Sequence, residues 1–122
     1  MKGLRKMRMW MISPRKLCDK HLLGEHFEIH KAAGNLKNSG TWAKSLTKKG
    51  FLEPQNFLIR HNKLVKEIFK RGFVHKSKLK IKNKSIYGKV DKNKSRNDLI
   101  KRCKNCRRKI INNKKIRIYS NL

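Results

Sequence analysis

The sequence predicts an all-α protein: a compact single helical domain of three main helices, plus a basic arm and a C-terminal helix. Three observations carry that expectation. Apolar residues recur at helical spacing from Leu22 to Ile29 and from Phe57 to Phe69. Glycine and proline punctuate the chain where those patterns start and stop. Strand-like alternation is confined to one lysine-rich stretch, L-K-I-K-N-K-S-I-Y at 79–87. The expected division is a helical core over 1–75, with a Lys/Asn-rich arm and C-terminal helix over 76–122 packing on or extending it.

The first helix is expected after Ser13-Pro14, where a proline lacking its N–H costs nothing. It should reach about Ala33, with Gly34-Asn35 as its stop. On a helical wheel Leu22, His26 and Ile29 share one side, with Leu23, Phe27 and His30 adjacent. His21, Glu25 and Glu28 fall together on the opposite side. Gly24 flanks that stripe at a cost of about 1 kcal/mol relative to alanine, which points to close approach by another backbone or a ligand. A second, short helix is expected from Thr41 to Lys49, capped by Ser39 or Thr41 and stopped by Gly50, with Trp42 and Leu46 as its buried pair. The third begins at Glu53-Pro54 and ends before Gly72; it buries Phe57, Leu58, His61, Leu64, Val65, Ile68 and Phe69 and leaves Lys63, Lys66, Lys70 and Arg71 outside. The stretch from Lys76 to Lys94 reads as an extended, solvated arm until a polyanion binds. Ser95 and Asp98 then form an S-x-x-D cap for a fourth helix running to about Asn112.

Charge narrows the function. The 122 residues hold 35 Lys and Arg against seven Asp and Glu, a formal net charge of +28. Self-repulsion on that scale favours a polyanionic partner, nucleic acid above all. Lys78–Lys84, Arg107-Arg108-Lys109 and Lys114–Arg117 are the densest clusters. No apolar run approaches the roughly 18 residues a membrane span needs, so no membrane partner is expected. The N-terminus lacks a secretory apolar region. Three cysteines, an odd count, argue against a disulfide scaffold and fit a reducing compartment. The expected location is therefore intracellular, in the cytoplasm.

Two constellations carry chemistry. The stripe His21/Glu25/Glu28 places two of only seven acids one helical turn apart beside a histidine. Its plain alternative is a solvated face with local partners such as Lys20. The order H-x-x-x-E-x-x-E lacks the second histidine of a zinc-protease helix, so a metal is the minor option there. Cys103-x-x-Cys106 could be half of a zinc site completed by Cys18 or His75. The stronger expectation is a buried helical stripe of Leu99, Cys103, Cys106 and Ile110, with no metal and no cofactor.

The stretch M-R-M-W-M-I-S-P-R-K-L-C-D-K-H-L-L-G-E-H-F-E-I-H-K from Met7 to Lys31, taken with Phe57-Leu58, Arg60 and E-I-F-K-R-G-F at 67–73, resembles the pyrimidine-dimer DNA glycosylase family, the endonuclease V type of bacteriophages and bacteria. The resemblance covers about Met7 to Leu79; Asp19, His21, Leu22, Glu25 and Glu28 form its most specific motif. The tail with Asp98-Leu99 and R-C-K-N-C-R is similar to that of shorter phage members. It implies an all-α enzyme, acting as a monomer on damaged double-stranded DNA, that removes the base at a cyclobutane dimer and then acts as an abasic-site lyase. The family kinks the duplex and flips a nucleotide out. Its nucleophile is the α-amine of the chain terminus, which forms a Schiff base with the sugar.

Aligned through His21 and Glu28, that terminus falls at Met7, and Glu28 matches the catalytic glutamate. Either translation starts at Met7, or Lys6 or another amine substitutes. The implied substrate- and DNA-binding residues are Arg8, His21, Glu25, Lys31, Arg60 and Arg71. Phe27 stands where the family often has a phosphate-binding arginine, and Lys31 keeps a charge one turn later. Of the family's aromatic C-terminal grip, only Tyr87 and Tyr119 are near in character. The competing class is a non-catalytic basic nucleic-acid binder, ribosomal-protein-like or a decayed glycosylase, which composition supports equally and which leaves Glu25, Glu28 and Gly24 without a role.

Overall fold

The structure is a computed structural model that describes residues 8–38, 40–74, 78–79 and 86–111. Met7, Lys6, Ser39, His75, the alternating stretch through 80–85, Lys114–Arg117 and Tyr119 lie outside those residues. The protein is all-α. Its helices are α1 (Asp19–Lys37), α2 (Thr41–Lys48), α3 (Phe57–Lys70) and α4 (Lys92–Arg102), followed by α5 at 104–111. Short 3-10 turns at Pro14–Lys16 and Pro54–Asn56 lead into α1 and α3.

Helix α1 packs on both α2 and α3. It contributes Leu22, Ile29, Ala32 and Leu36 to the core, which meet Ala43 and Leu46 of α2 and Phe57, Leu64 and Ile68 of α3. The stretch before α1 is central rather than peripheral: Arg8, Met9, Trp10 and Ile12 are all buried. Met9 N–H donates to Phe51 O at 2.8 Å, tying this stretch to the loop before α3. A left-handed backbone at Met11 (φ 63°), costly for a side-chain-bearing residue, turns the chain between Trp10 and Ile12.

Several boundaries differ from the sequence expectation for identifiable reasons. Gly34-Asn35 does not stop α1, which continues to Lys37. The Asn35 side chain instead accepts from Ala43 N–H at 2.9 Å and holds the start of α2, and Gly40 (φ 72°) makes the corner. Asp91, not Ser95, caps α4, its carboxylate accepting from Lys94 N–H. The fourth helix does not run unbroken to Asn112: Cys103 is extended (φ −125°, ψ 109°) and separates α4 from α5. Leu99, Cys103, Cys106 and Ile110 therefore do not form one helical stripe. Leu58 and Phe69, expected inside, are about half exposed, while Trp42 is only partly buried.

The described end of the basic arm is docked, not solvated. Gly88 exchanges two hydrogen bonds with the Gln55 side chain, and Val90 N–H donates to Glu53 Oε2 at 2.7 Å. Gly88 lies so close to Leu52 O that a Cβ there could not be accommodated. Val90, Leu99, Cys106 and Ile110 belong to the same buried cluster as α1–α3. Among the described residues no helix is long and apolar enough to cross a membrane.

Candidate active site

The polar stripe of α1 points inward. Glu25 is buried and closes on Arg60 of α3 through two parallel hydrogen bonds, 2.6 Å to Nε and 2.9 Å to Nη2. Arg60 Nη1 also donates to Ile12 O at 2.7 Å. This bidentate pair satisfies two charges that could not be buried singly. Glu25 and Arg60 are thus brought together and withdrawn from solvent; a local Glu25–Lys20 contact is not what holds Glu25. Arg71 is likewise held internally, by Asp19 and Glu67 at 2.9 Å each and by the carbonyls of Leu17 and Pro14.

Glu28 lies one turn on, beside the extended stretch. The backbone N–H of Arg8 donates to its Oε1 at 3.3 Å. Burial pushes the Glu28 carboxyl up to about 7, opposed by that hydrogen bond and reinforced by the nearby Glu25. The other six acids of the chain have plainer tasks. Asp19 and Glu67 hold Arg71, Glu25 holds Arg60, and Asp98 holds Arg8. Glu53 fixes Val90 and Asn56, and Asp91 caps α4. Among the described residues Glu28 has no cation closing on its side chain and is the carboxyl group that burial moves towards neutrality.

The Arg8 side chain crosses to the far wall. Its guanidinium donates to Asp98 Oδ2 and Ser95 Oγ of α4, both at 3.1 Å, and lies 4.3 Å from the Trp10 ring centroid. Burial lowers its pKa, with Asp98 opposing. Around this pair opens a cleft of about 780 Å³, with Glu28 and Arg8 at its base and Lys20, Lys94 and Arg102 among its cations. Ligand sites typically span about 300–1,000 Å³, so the cleft has the volume of such a site. Gly24 lines the cleft, and no protein atom lies within 4 Å of where its Cβ would stand. Its openness faces the cleft rather than another backbone. Lys31 is exposed, its Nζ 5.5 Å from the Phe27 ring, and stands outside the cleft lining.

A model of the pyrimidine dimer DNA glycosylase family matches residues 7–81, more than half of the chain. The chain belongs to this family. Membership implies a pyrimidine dimer DNA glycosylase role, with DNA as the substrate. Neither the curated proteins nor the solved structures compared with the chain gave a match.

The family stretch begins at Met7, next to the Arg8 N–H that reaches Glu28. The opposite wall of the cleft, with Lys94, Asp98 and Arg102, lies beyond the matched residues. Sequence reasoning placed Ser95 and Asp98 in a helix cap, and Asp98 also in a family-like tail, and gave Trp10, Lys94 and Arg102 no role in a site. The available signal was scarcity: Asp98 is one of seven acids, the same reasoning that singled out Glu28.

His21 lines the cleft and stands edge-on to Trp10. Burial lowers its pKa, and the neighbouring Lys20 lowers it further. Its Nδ1 faces Cys18 and Cys106 at 3.2 and 3.5 Å. Among the described residues, two groups of side chains have donor atoms close enough to hold a metal: Cys18, His21, Cys103 and Cys106, and separately His26, His30 and His61. The three histidines of the second group pack with ring centroids 4.7–5.0 Å apart.

Proposed function

We propose that this protein is an intracellular repair enzyme, acting as a monomer on double-stranded DNA, that cleaves the glycosidic bond at pyrimidine dimers and then the strand at the resulting abasic site. The nucleophile is the α-amine of Met7 in a chain starting there. The observation that carries the reading is the Arg8 N–H to Glu28 hydrogen bond. The α-nitrogen of residue 7 is three covalent bonds from the Arg8 nitrogen, hence within about 4 Å of it. An amine at that position acts close to a carboxyl group whose pKa is about 7.

The chemistry needs both groups. An α-amine, with an ordinary pKa of about 7.7–8.0, is neutral and nucleophilic in roughly a tenth of molecules at pH 7. It attacks the sugar C1′ and the glycosidic electrons leave with the base; the nitrogen then gives up a proton, and its lone pair forms the C1′=N bond as the C1′–O4′ bond breaks and O4′ takes a proton. Glu28 stabilises the opening sugar and relays protons to and from it. Lys20, Lys94 and Arg102 would hold the flanking phosphates, and Lys31 extends the basic surface along the duplex. Arg8 and His21 shape the cleft floor, while Glu25, Arg60 and Arg71 act indirectly by fixing α1 and α3.

Borohydride trapping tests the mechanism. A form of the protein beginning at Met7 should give a covalent adduct with abasic duplex DNA, and absence of any adduct would overturn the terminal-amine mechanism. Trapping by the 122-residue form would assign the amine to Lys6 or another residue. Equal affinity for undamaged, abasic and dimer-bearing DNA, with no incision, would favour the non-catalytic binder.

A further inference from the structure

We propose that Cys18, His21, Cys103 and Cys106 form a structural zinc site that staples the C-terminal helices to the start of α1. Two ligands come from within the family stretch and two from outside it. The inference concerns a metal that holds the fold, not the reaction, and is independent of the nucleophile assigned above.

The donor atoms already have the required spacing. A tetrahedral zinc with Zn–S of 2.3 Å and Zn–N of 2.0–2.1 Å sets S···S separations of about 3.8 Å and S···N separations of about 3.5 Å. Cys18 Sγ is 3.7 Å from Cys103 Sγ and 3.2 Å from His21 Nδ1, and Cys106 Sγ is 3.5 Å from that nitrogen. All four donor atoms lie within 4.8 Å of one another. The pairing C-x-x-H with C-x-x-C is ordinary structural-zinc spacing, and four protein ligands leave no open position for catalysis. A disulfide is a poorer reading: it would need sulfurs about 2.0 Å apart and would strand the third cysteine.

Burial and the neighbouring thiols push the Cys106 thiol up to about 12 in the metal-free protein, while helix ends and backbone N–H groups face the sulfurs. Cys18 is the N-cap of α1, His21 lies in its first turn, and Cys106 lies in the first turn of α5. Two helix N-termini, each a partial positive charge, therefore converge on the sulfurs. Cys18 N–H donates to Cys106 Sγ at 3.2 Å and Cys106 N–H to Cys103 Sγ at 3.4 Å. The second of these needs the extended backbone at Cys103, which gives the helix break a purpose. Binding Zn²⁺ releases three thiol protons and leaves a complex of net charge −1, favoured in a chain of +28. His21 keeps Nε2 for the cleft side, so the same ring would link the metal to the wall of the site.

Elemental analysis of the 122-residue protein, purified without chelator, should find one zinc per chain that a mercurial reagent releases. Replacement by cobalt should give the thiolate-to-cobalt charge-transfer band and the strong visible bands of a tetrahedral site. Cys103→Ser and Cys106→Ser should abolish both; should they fail to fold, His21→Cys tests the set by retaining the metal and strengthening the charge-transfer band. Substoichiometric zinc, with all three thiols reacting freely in the native protein, would overturn the proposal. So would bound cobalt without a thiolate band, which would place the metal at the histidine group. No readout requires DNA, so loss of glycosylase activity and loss of the metal are separately visible.

Discussion

Arg8 and Glu28 meet through a backbone N–H, 3.3 Å from the carboxylate oxygen, across 20 residues of sequence. The contact is made by the main chain, so any residue at position 8 except proline retains its donor. Glu28, with its carboxyl pushed up to about 7 by burial, changes charge where the protein works. Single-turnover base release should rise as pH climbs through about 7, then level off as the α-amine is deprotonated near 8. Glu28→Gln should lower the rate by orders of magnitude and remove the lower inflection. An unchanged inflection in that variant would assign it to another group.

The same shift has a consequence for stability with a definite sign. The folded protein holds the Glu28 proton more tightly than the unfolded chain does. That contribution is fully present below about pH 4.5 and is lost as pH rises to about 7. Glu28→Gln should therefore be the more stable protein at pH 8, by on the order of 1–3 kcal/mol. Urea unfolding of both forms at pH 5 and pH 8 reads the difference directly, and a gap that does not widen with pH would contradict it.

Breaking the Glu25–Arg60 pair should be costly from either side. Arg60→Met leaves a buried carboxylate without its partner and should destabilise the protein by about 3–5 kcal/mol. Glu25→Leu combined with Arg60→Met should recover much of that loss. Arg60→Lys should not substitute, because one ammonium cannot meet both carboxylate oxygens and Ile12 O. A thermal-denaturation cycle of the four proteins checks the coupling.

Gly24→Ala separates folding from function. No atom crowds the position, so alanine should stabilise α1 by about 1 kcal/mol. The added methyl enters the cleft that Gly24 lines, so KM for dimer-bearing DNA should rise. A stabilised variant with unaltered KM would show that substrate does not approach Gly24.

Affinity for DNA should be strongly salt-dependent. If six to ten of the exposed cations meet phosphates, binding falls by about 10³–10⁵ between 50 and 200 mM salt. Lys31→Ala should reduce the slope by about one and weaken damaged and undamaged duplexes alike. Anisotropy titrations across that range measure both, and an unchanged slope would remove Lys31 from the interface.

Local structure was legible in the sequence where a local rule determines it. Gly50 follows the end of α2 and Gly72 the end of α3, because punctuation acts over a few residues, whereas the N-cap of α2 is Gly40 rather than the expected Ser39 or Thr41. The family itself was legible, through the motif between Met7 and Lys31. Long-range pairings were not. A helical wheel puts Glu25 beside Glu28 but cannot say that Arg60 neutralises it from another helix. Asp98 satisfies a capping pattern on paper, whereas its carboxylate holds Arg8. Cys18, His21 and Cys103-x-x-Cys106 were each visible, yet only the helix break at Cys103 brings them to one point.

The bond from Arg8 to Asp98 closes a loop of 90 residues. Ordering two such distant points draws heavily on chain entropy, so the contact forms after the local helices are in place. A ribosome emits residue 8 first and residue 98 long afterwards. During synthesis α1 can carry its carboxyl group into folded structure while the cleft still lacks a wall. The enzyme would thus leave the ribosome with its reactive corner unfinished, and competence towards DNA would arrive as the final event of folding.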